Sequence, residues 1–160
     1  MKDQNRPEHS QRLRRAWFTL SLLLVLATAA YGGVLYPTMA DPVPVHWNGS
    51  GVADDYAPKS VVSVFAPLMV AFATVLCLWL LHRYLPAKAG APAAETTAGK
   101  NLLADLTPAL ALLFSWLSIR AWLDLEGPLT IWIPVLALML FVLVLVFRAV
   151  SAVSGVAGRR

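Results

Sequence analysis

The sequence predicts an all-α integral membrane protein with four transmembrane helices, both termini cytoplasmic, and one ordered outer loop between the first and second helices. Three observations predict it. Hydrophobic residues fill 58% of the 160 positions, more apolar surface than a domain of this length can hide from water, so lipid must cover the excess. Four apolar runs each reach the ~20 residues that a helix needs to span the hydrocarbon core. Basic residues gather at alternate ends of those runs, the pattern that orients helices in a membrane.

The runs extend from Ala16 to Tyr36, Val61 to Leu81, Leu102 to Leu123 and Leu129 to Val150. They show no strand-period alternation and no interior acidic residue, so they read as helices that satisfy their own backbone hydrogen bonds in lipid. The start of the chain also resembles a secretory signal, with basic residues, an apolar stretch and Ala27-Thr28-Ala29. The apolar run continues through Tyr31, Val34 and Leu35, however, which suits a retained span. Ala29 and Gly33 lie four apart and form a candidate small-residue face for close helix packing.

Lys2, Arg6, Arg12, Arg14 and Arg15 precede the first run; Arg83, Lys88 and Lys100 separate the second from the third; Arg148, Arg159 and Arg160 follow the fourth. The other side holds Lys59 and Arg120 against Asp41, Asp54, Asp55, Asp124 and Glu126. The basic clusters therefore belong on the cytoplasmic face of the cell membrane. Trp17, Phe18, Trp79 and Tyr84 would anchor the inner interface, and Tyr36, Trp122 and Trp132 the outer one. The formal charge of +4 reports this orientation rather than nucleic-acid binding.

Residues 1–160 read as a single four-helix membrane domain, with a motif loop at 37–60 and a flexible cytoplasmic linker at 86–100 that is rich in alanine and interrupted by Pro86, Gly90 and Pro92. The short outer turn Asp124-Leu125-Glu126-Gly127-Pro128 makes the last two helices an antiparallel hairpin. Pro67, Pro108 and Pro134 are placed within the first two turns of their helices, where a missing N–H costs least. Asp105 is placed in the first turn of the third helix, where a carboxylate suits the dipole. The single cysteine, Cys77, excludes an intramolecular disulfide and a cysteine-built metal site.

The loop is the informative segment. Pro42 and Pro44 stiffen its approach and keep the preceding residues out of the helical region. Val45-His46-Trp47-Asn48 alternates apolar with polar, so in an extended strand His46 and Asn48 share one face while Val45 and Trp47 grip the other. Asn48-Gly49-Ser50-Gly51 supplies turn chemistry that returns the chain, bringing Asp54, Asp55 and Lys59 toward His46. The expected cluster is His46, Asn48, Asp54 and Lys59. A structural role for each stays open: His46 can fix the loop, Asn48 can cap its turn, and Asp54 with Lys59 can form an exposed ion pair.

The string Pro44-x-His46-Trp47-Asn48-x-x-Gly51-x-x-Asp54-x-Tyr56-x-x-Lys59, set between a first and a second span, resembles the signature of a bacterial membrane-domain family of unknown function, number sixteen-forty-eight. That domain forms the N-terminal part of Sdp-type toxin-immunity proteins. The resemblance implies that Pro44, His46, Asn48, Gly51, Asp54 and Lys59 are the motif positions. Asp55 stands where the family often has Gly. The larger immunity proteins continue into a second, longer membrane domain that this chain is too short to hold.

Arg120 lies about one turn from the outer end of the third run, where its stem can snorkel and Asp124, at i+4, can pair with it. Its alternative role is a buried counter-ion for an anionic ligand or for Asp54. The expectation is that Arg120 bonds Asp124 or an outer-loop carboxylate. The intramembrane hydroxyls Thr74, Thr107, Ser115 and Ser118 are expected to bond their own helices.

No nucleophile–base pair, phosphate-cradling glycine loop or zinc-spaced ligand set is present, so no catalytic residue, cofactor or metal is expected. The leading function is noncatalytic recognition, signalling or immunity through the outer loop. The alternatives are an accessory subunit of a transporter and a membrane-embedded hydrolase using His46. The expected partners are the lipid bilayer and either another membrane protein or an extracytoplasmic peptide. In a Cys77→Ser background, single cysteines at Asn48 and Glu126 should react with an impermeant thiol reagent on intact cells, and one at Ala94 should not. Labelling at Ala94, or a mature N-terminus at Ala30, would overturn the topology.

Overall fold

The computed structural model describes residues 6–84 and 93–157. Its helices are α1 (Arg6–Leu35), α2 (Val61–Tyr84), α3 (Ala93–Trp122) and α4 (Pro128–Ala157). All four are long and apolar enough to cross a membrane, and the chain is a multi-pass membrane protein. A 3-10 turn, Tyr36–Thr38, and two strands, β1 (Val43–Trp47) and β2 (Ala53–Ala57), join α1 to α2. Among the described residues the fold is thus helical apart from one antiparallel hairpin, a small sheet that the all-α expectation did not include.

Helix boundaries follow local chemistry. At the start of α2, the Ser60 N–H donates to Ser63 Oγ at 2.9 Å and the Ser63 N–H donates to Ser60 Oγ at 3.1 Å, a reciprocal cap on two orphan donors. Pro128 opens α4 at a position where its missing N–H would have had no partner. At the end of α3 the Leu125 N–H reaches the Arg120 carbonyl and the Asp124 N–H reaches that of Ala121, the paired bonds of a Schellman ending. Asp124 takes the left-handed position of that motif, with φ of 50°.

α3 is the central helix and packs on α1, α2 and α4. Ala104, Thr107, Ala111, Ser115 and Ser118 form its buried stripe, small side chains that let helix backbones approach where lipid offers no hydrophobic drive for association. Thr107 and Ser118 donate to the carbonyls four residues back, as expected, whereas the buried Ser115 Oγ has no hydrogen-bond partner. Ser21 and Thr28 on α1, also buried, do the same.

The opposite end of the bundle from the hairpin is tied by Phe18 packing against His82 at 5.2 Å and by His82 Nδ1 lying 2.9 Å from the Lys100 carbonyl. α4 packs chiefly on α3 and turns most of its apolar side chains outward. The main apolar core, including Val25, Met39, Val43, Val64, Leu68 and Trp122, reaches from α1 and α2 into the hairpin.

Several expectations need correction. α3 begins at Ala93, so 93–100 are helical rather than linker, while 86–92 lie outside the described residues. Pro108 and Asp105 therefore sit well inside α3, not at its start. Phe18 and Trp122 are core residues rather than interface anchors, whereas Trp17, Trp79, Tyr84 and Trp132 are exposed. Gly32, not Gly33, is the close-packing glycine: a Cβ there would collide with the Trp122 indole, and one at Gly33 would meet open space.

A side chain in the left-handed region costs of order 1 kcal/mol, so Asp124→Gly should raise stability by about 0.5–1 kcal/mol and Asp124→Val should lower it. Thermal unfolding in detergent checks both. Equal midpoints for the two variants would contradict the cap assignment.

Candidate functional site at the hairpin

β1 and β2 pair antiparallel, with Val43 opposite Ala57, Pro44 opposite Tyr56, His46 opposite Asp55 and Trp47 opposite Ala53. The register slips on both sides of His46, and this breaks the simple two-face alternation expected for the strand. Val43 and Pro44 are buried and Trp47 is half-buried, but Val45 is exposed and does not grip the bundle. β1 packs on α2 and α3. β2 turns Asp54, Asp55 and Tyr56 to the surface.

Asn48 builds the turn. Its Oδ1 accepts from the N–H groups of Ser50 at 2.9 Å and Val52 at 3.2 Å, its carbonyl accepts from Gly51 N–H, and its own N–H reaches the Val52 carbonyl. This three-residue loop needs a left-handed residue at its end, and Gly51 supplies it with φ of 75°. A Cβ at Gly51 would also collide with the carbonyl of Gly127. The glycine is thus required twice, by its torsion and by the closeness of the α3–α4 turn beneath it.

That closeness serves Arg120. Its side chain is fully buried, donating from Nη2 to the Gly51 carbonyl at 2.7 Å and from Nε to Thr130 Oγ1 at 2.8 Å. The guanidinium carbon lies 4.5 Å from the centre of the Trp47 ring, a cation–π contact inside a water-poor site. The Gly127 N–H donates to the same Gly51 carbonyl at 3.1 Å, and the Trp132 indole N–H donates to the Gly49 carbonyl at 2.9 Å. Arg120 neither snorkels nor bonds a carboxylate. Asp124 caps the helix instead, and the charge is met by two oxygen acceptors and a ring face, while the buried Nη1 has no hydrogen-bond partner.

Thr130 is the residue sequence reasoning missed. Its hydroxyl accepts from Arg120 and donates to the Gly127 carbonyl at 2.7 Å. Its own carbonyl would have bonded the N–H of residue 134, but that residue is Pro134, and the Trp116 indole N–H fills the vacancy at 2.8 Å. The signal was present as a proline four residues after a threonine, although nothing in the sequence points to Trp116 as the donor.

His46 and Asp54 come together as expected, with Nδ1 and Oδ1 2.6 Å apart across the hairpin and both side chains open to solvent. Lys59 does not join them. Its Nζ donates to the Met39 carbonyl at 2.9 Å and lies 5.6 Å from the centre of the Tyr36 ring, while its N–H donates to Asp41 Oδ1 at 3.0 Å. Tyr36 stacks on Phe65, which meets Trp122 edge-on, so Lys59 locks the hairpin's base to the aromatic core. Asp55 bonds the N–H of Tyr56. Among the described residues no hydroxyl or thiol bonds His46, and no three His, Cys, Asp or Glu side chains converge as a metal-binding group.

Residues 23–71 match the family model described as a domain of unknown function, DUF1648. No curated protein and no solved structure gives a match. The matched segment holds residues 23–35 of α1, the whole hairpin and residues 61–71 of α2. Arg120, Gly127, Thr130 and Trp132, which receive the hairpin, lie beyond it.

Arg120→Met should destabilise the protein by about 3 kcal/mol or more, since two charge-assisted hydrogen bonds are lost and the Gly51 carbonyl loses a donor. Arg120→Lys should recover only part of this, because an ammonium lacks the guanidinium fork. Gly51→Ala should fail alongside Arg120→Met. Detergent melts of the three variants provide the measurement, and a wild-type midpoint for Arg120→Met would refute the docking role.

Proposed function

We propose that this chain is a noncatalytic recognition protein of the cell membrane. Its hairpin presents His46 and Asp54 outside the membrane to a peptide or another extracytoplasmic component. One observation supports this reading above the others. Asn48, Gly51 and Lys59 are used up in bonds that shape and anchor the loop, whereas His46 and Asp54 bond each other and stay exposed beside Val45, Val52 and Tyr56. A rigid support under an exposed polar pair with apolar neighbours is the composition of a binding surface, and loops held by scaffolds commonly carry one. A role in immunity to a peptide toxin is in keeping with the family resemblance of the motif.

A second reading, an accessory subunit of a transporter, draws on α4, whose apolar side chains are exposed along nearly its whole length. In that case the partner would seat on α4 and the hairpin would be a fold determinant.

Affinity capture from native membranes with the full chain as bait separates the two. For the recognition reading, His46→Ala and Asp54→Ala should reduce partner recovery at least tenfold, while membrane abundance and thermal stability stay close to wild type, because an exposed pair contributes about 1 kcal/mol or less. Undiminished recovery with both variants would reject recognition through the pair and favour α4. A fall in abundance would assign the pair to the fold.

A further inference from the structure

α1 and α4 flank α3 without substantial packing on each other. They leave a groove of about 830 Å³, floored by α3 and walled by the two outer helices. This volume falls within the range of built small-molecule sites. From Arg148 at its mouth to Pro134 at its far end the groove follows α4 for roughly 20 Å at the helical rise. That is more than the depth of one leaflet of a hydrocarbon core about 30 Å thick. Its interior is apolar, with Pro108, Leu112 and Phe141 among its walls.

Charge is confined to the mouth. Arg14, Asp105 and Arg148 line the groove, so two guanidiniums face one carboxylate. The pairing there is poor: Arg14 Nε lies 3.8 Å from Asp105 Oδ1, too far for a hydrogen bond, and this buried nitrogen has no hydrogen-bond partner. A buried cationic donor without an acceptor is costly, and Arg14 is held there by the helix that carries it. An apolar channel deeper than one leaflet, with excess positive charge and an unfilled N–H at its interfacial end, is complementary to an amphiphile with an anionic head.

We propose that the groove binds one acyl chain of an anionic membrane phospholipid, drawn from the leaflet in which α1 begins and α4 ends, with its phosphate held between Arg14 and Arg148. The chain would lie against Pro108, Leu112 and Phe141. The phosphate would supply the acceptor that Arg14 Nε lacks and balance the charge that Asp105 leaves over. This site is separate from the hairpin and does not depend on any function assigned there.

Native mass spectrometry of the full chain in detergent tests the proposal, with phosphatidylglycerol and phosphatidylcholine of the same acyl chains as probes. One phosphatidylglycerol should remain bound at lipid concentrations where phosphatidylcholine does not. Arg148→Gln, a change at an exposed side chain, should weaken that binding about fivefold, the effect expected for one basic residue at an anionic surface. Arg14→Gln should weaken it further, and Leu112→Trp should block it by filling the channel. Equal retention of the two lipids, unchanged binding by Arg148→Gln, or a lipid-free dimer that Leu112→Trp dissociates would each overturn the proposal.

Discussion

A cation buried where water is scarce has to be surrounded by oxygen, and much of the hairpin end follows from how Arg120 meets that requirement. The guanidinium spans three elements at once: Trp47 of β1 lies over its face, the Gly51 carbonyl of the hairpin turn accepts from one nitrogen, and Thr130 of α4 accepts from another. Because all three partners are fixed by one planar group, the hairpin can sit in one place only. The absence of a side chain at Gly51, the left-handed turn and the approach of Gly127 are the conditions that allow its carbonyl to reach both donors.

The same logic of satisfying polar groups inside an apolar phase explains the tryptophans. Pro134 removes a helical donor, and Trp116 replaces it at the Thr130 carbonyl. Trp122 donates to the Val64 carbonyl from within the core, and Trp132 donates to Gly49. Each indole is a large apolar body with one N–H at its edge, so it can fill space between helices and cancel one exposed carbonyl together. In this bundle tryptophan serves at least as much to join elements as to mark the membrane interface.

This division accounts for what could be read from the sequence. The four spans were legible because their signal is summed over some twenty residues and resists local exceptions. The turn at Asn48-Gly49-Ser50-Gly51 and the meeting of His46 with Asp54 were legible because local turn chemistry controls them. The partners of Arg120 were not, since they are a main-chain carbonyl and a hydroxyl, groups that carry no sign of their use; an acidic neighbour at i+4 suggested a salt bridge that helix capping by Asp124 displaced. Lys59 was likewise expected beside His46 and Asp54, whereas its ammonium meets the Met39 carbonyl, another group with no sign in the sequence. The start of α3 was not legible because the alanine, proline and glycine of 86–92 run directly into 93–100, where no apolar signal marks the helix.

The bond between Arg120 and Gly51 joins residues 69 positions apart in the chain. At ribosomal speeds of roughly 5–20 residues per second, the hairpin is made about 3–14 seconds before its anchor. During that interval it must hold its shape through its own short-range contacts, and Asn48, whose four turn bonds lie entirely within residues 48–52, gives it the means to do so. The turn is therefore a template that precedes its receptor. The second helix pair completes a surface whose outline was drawn by the first.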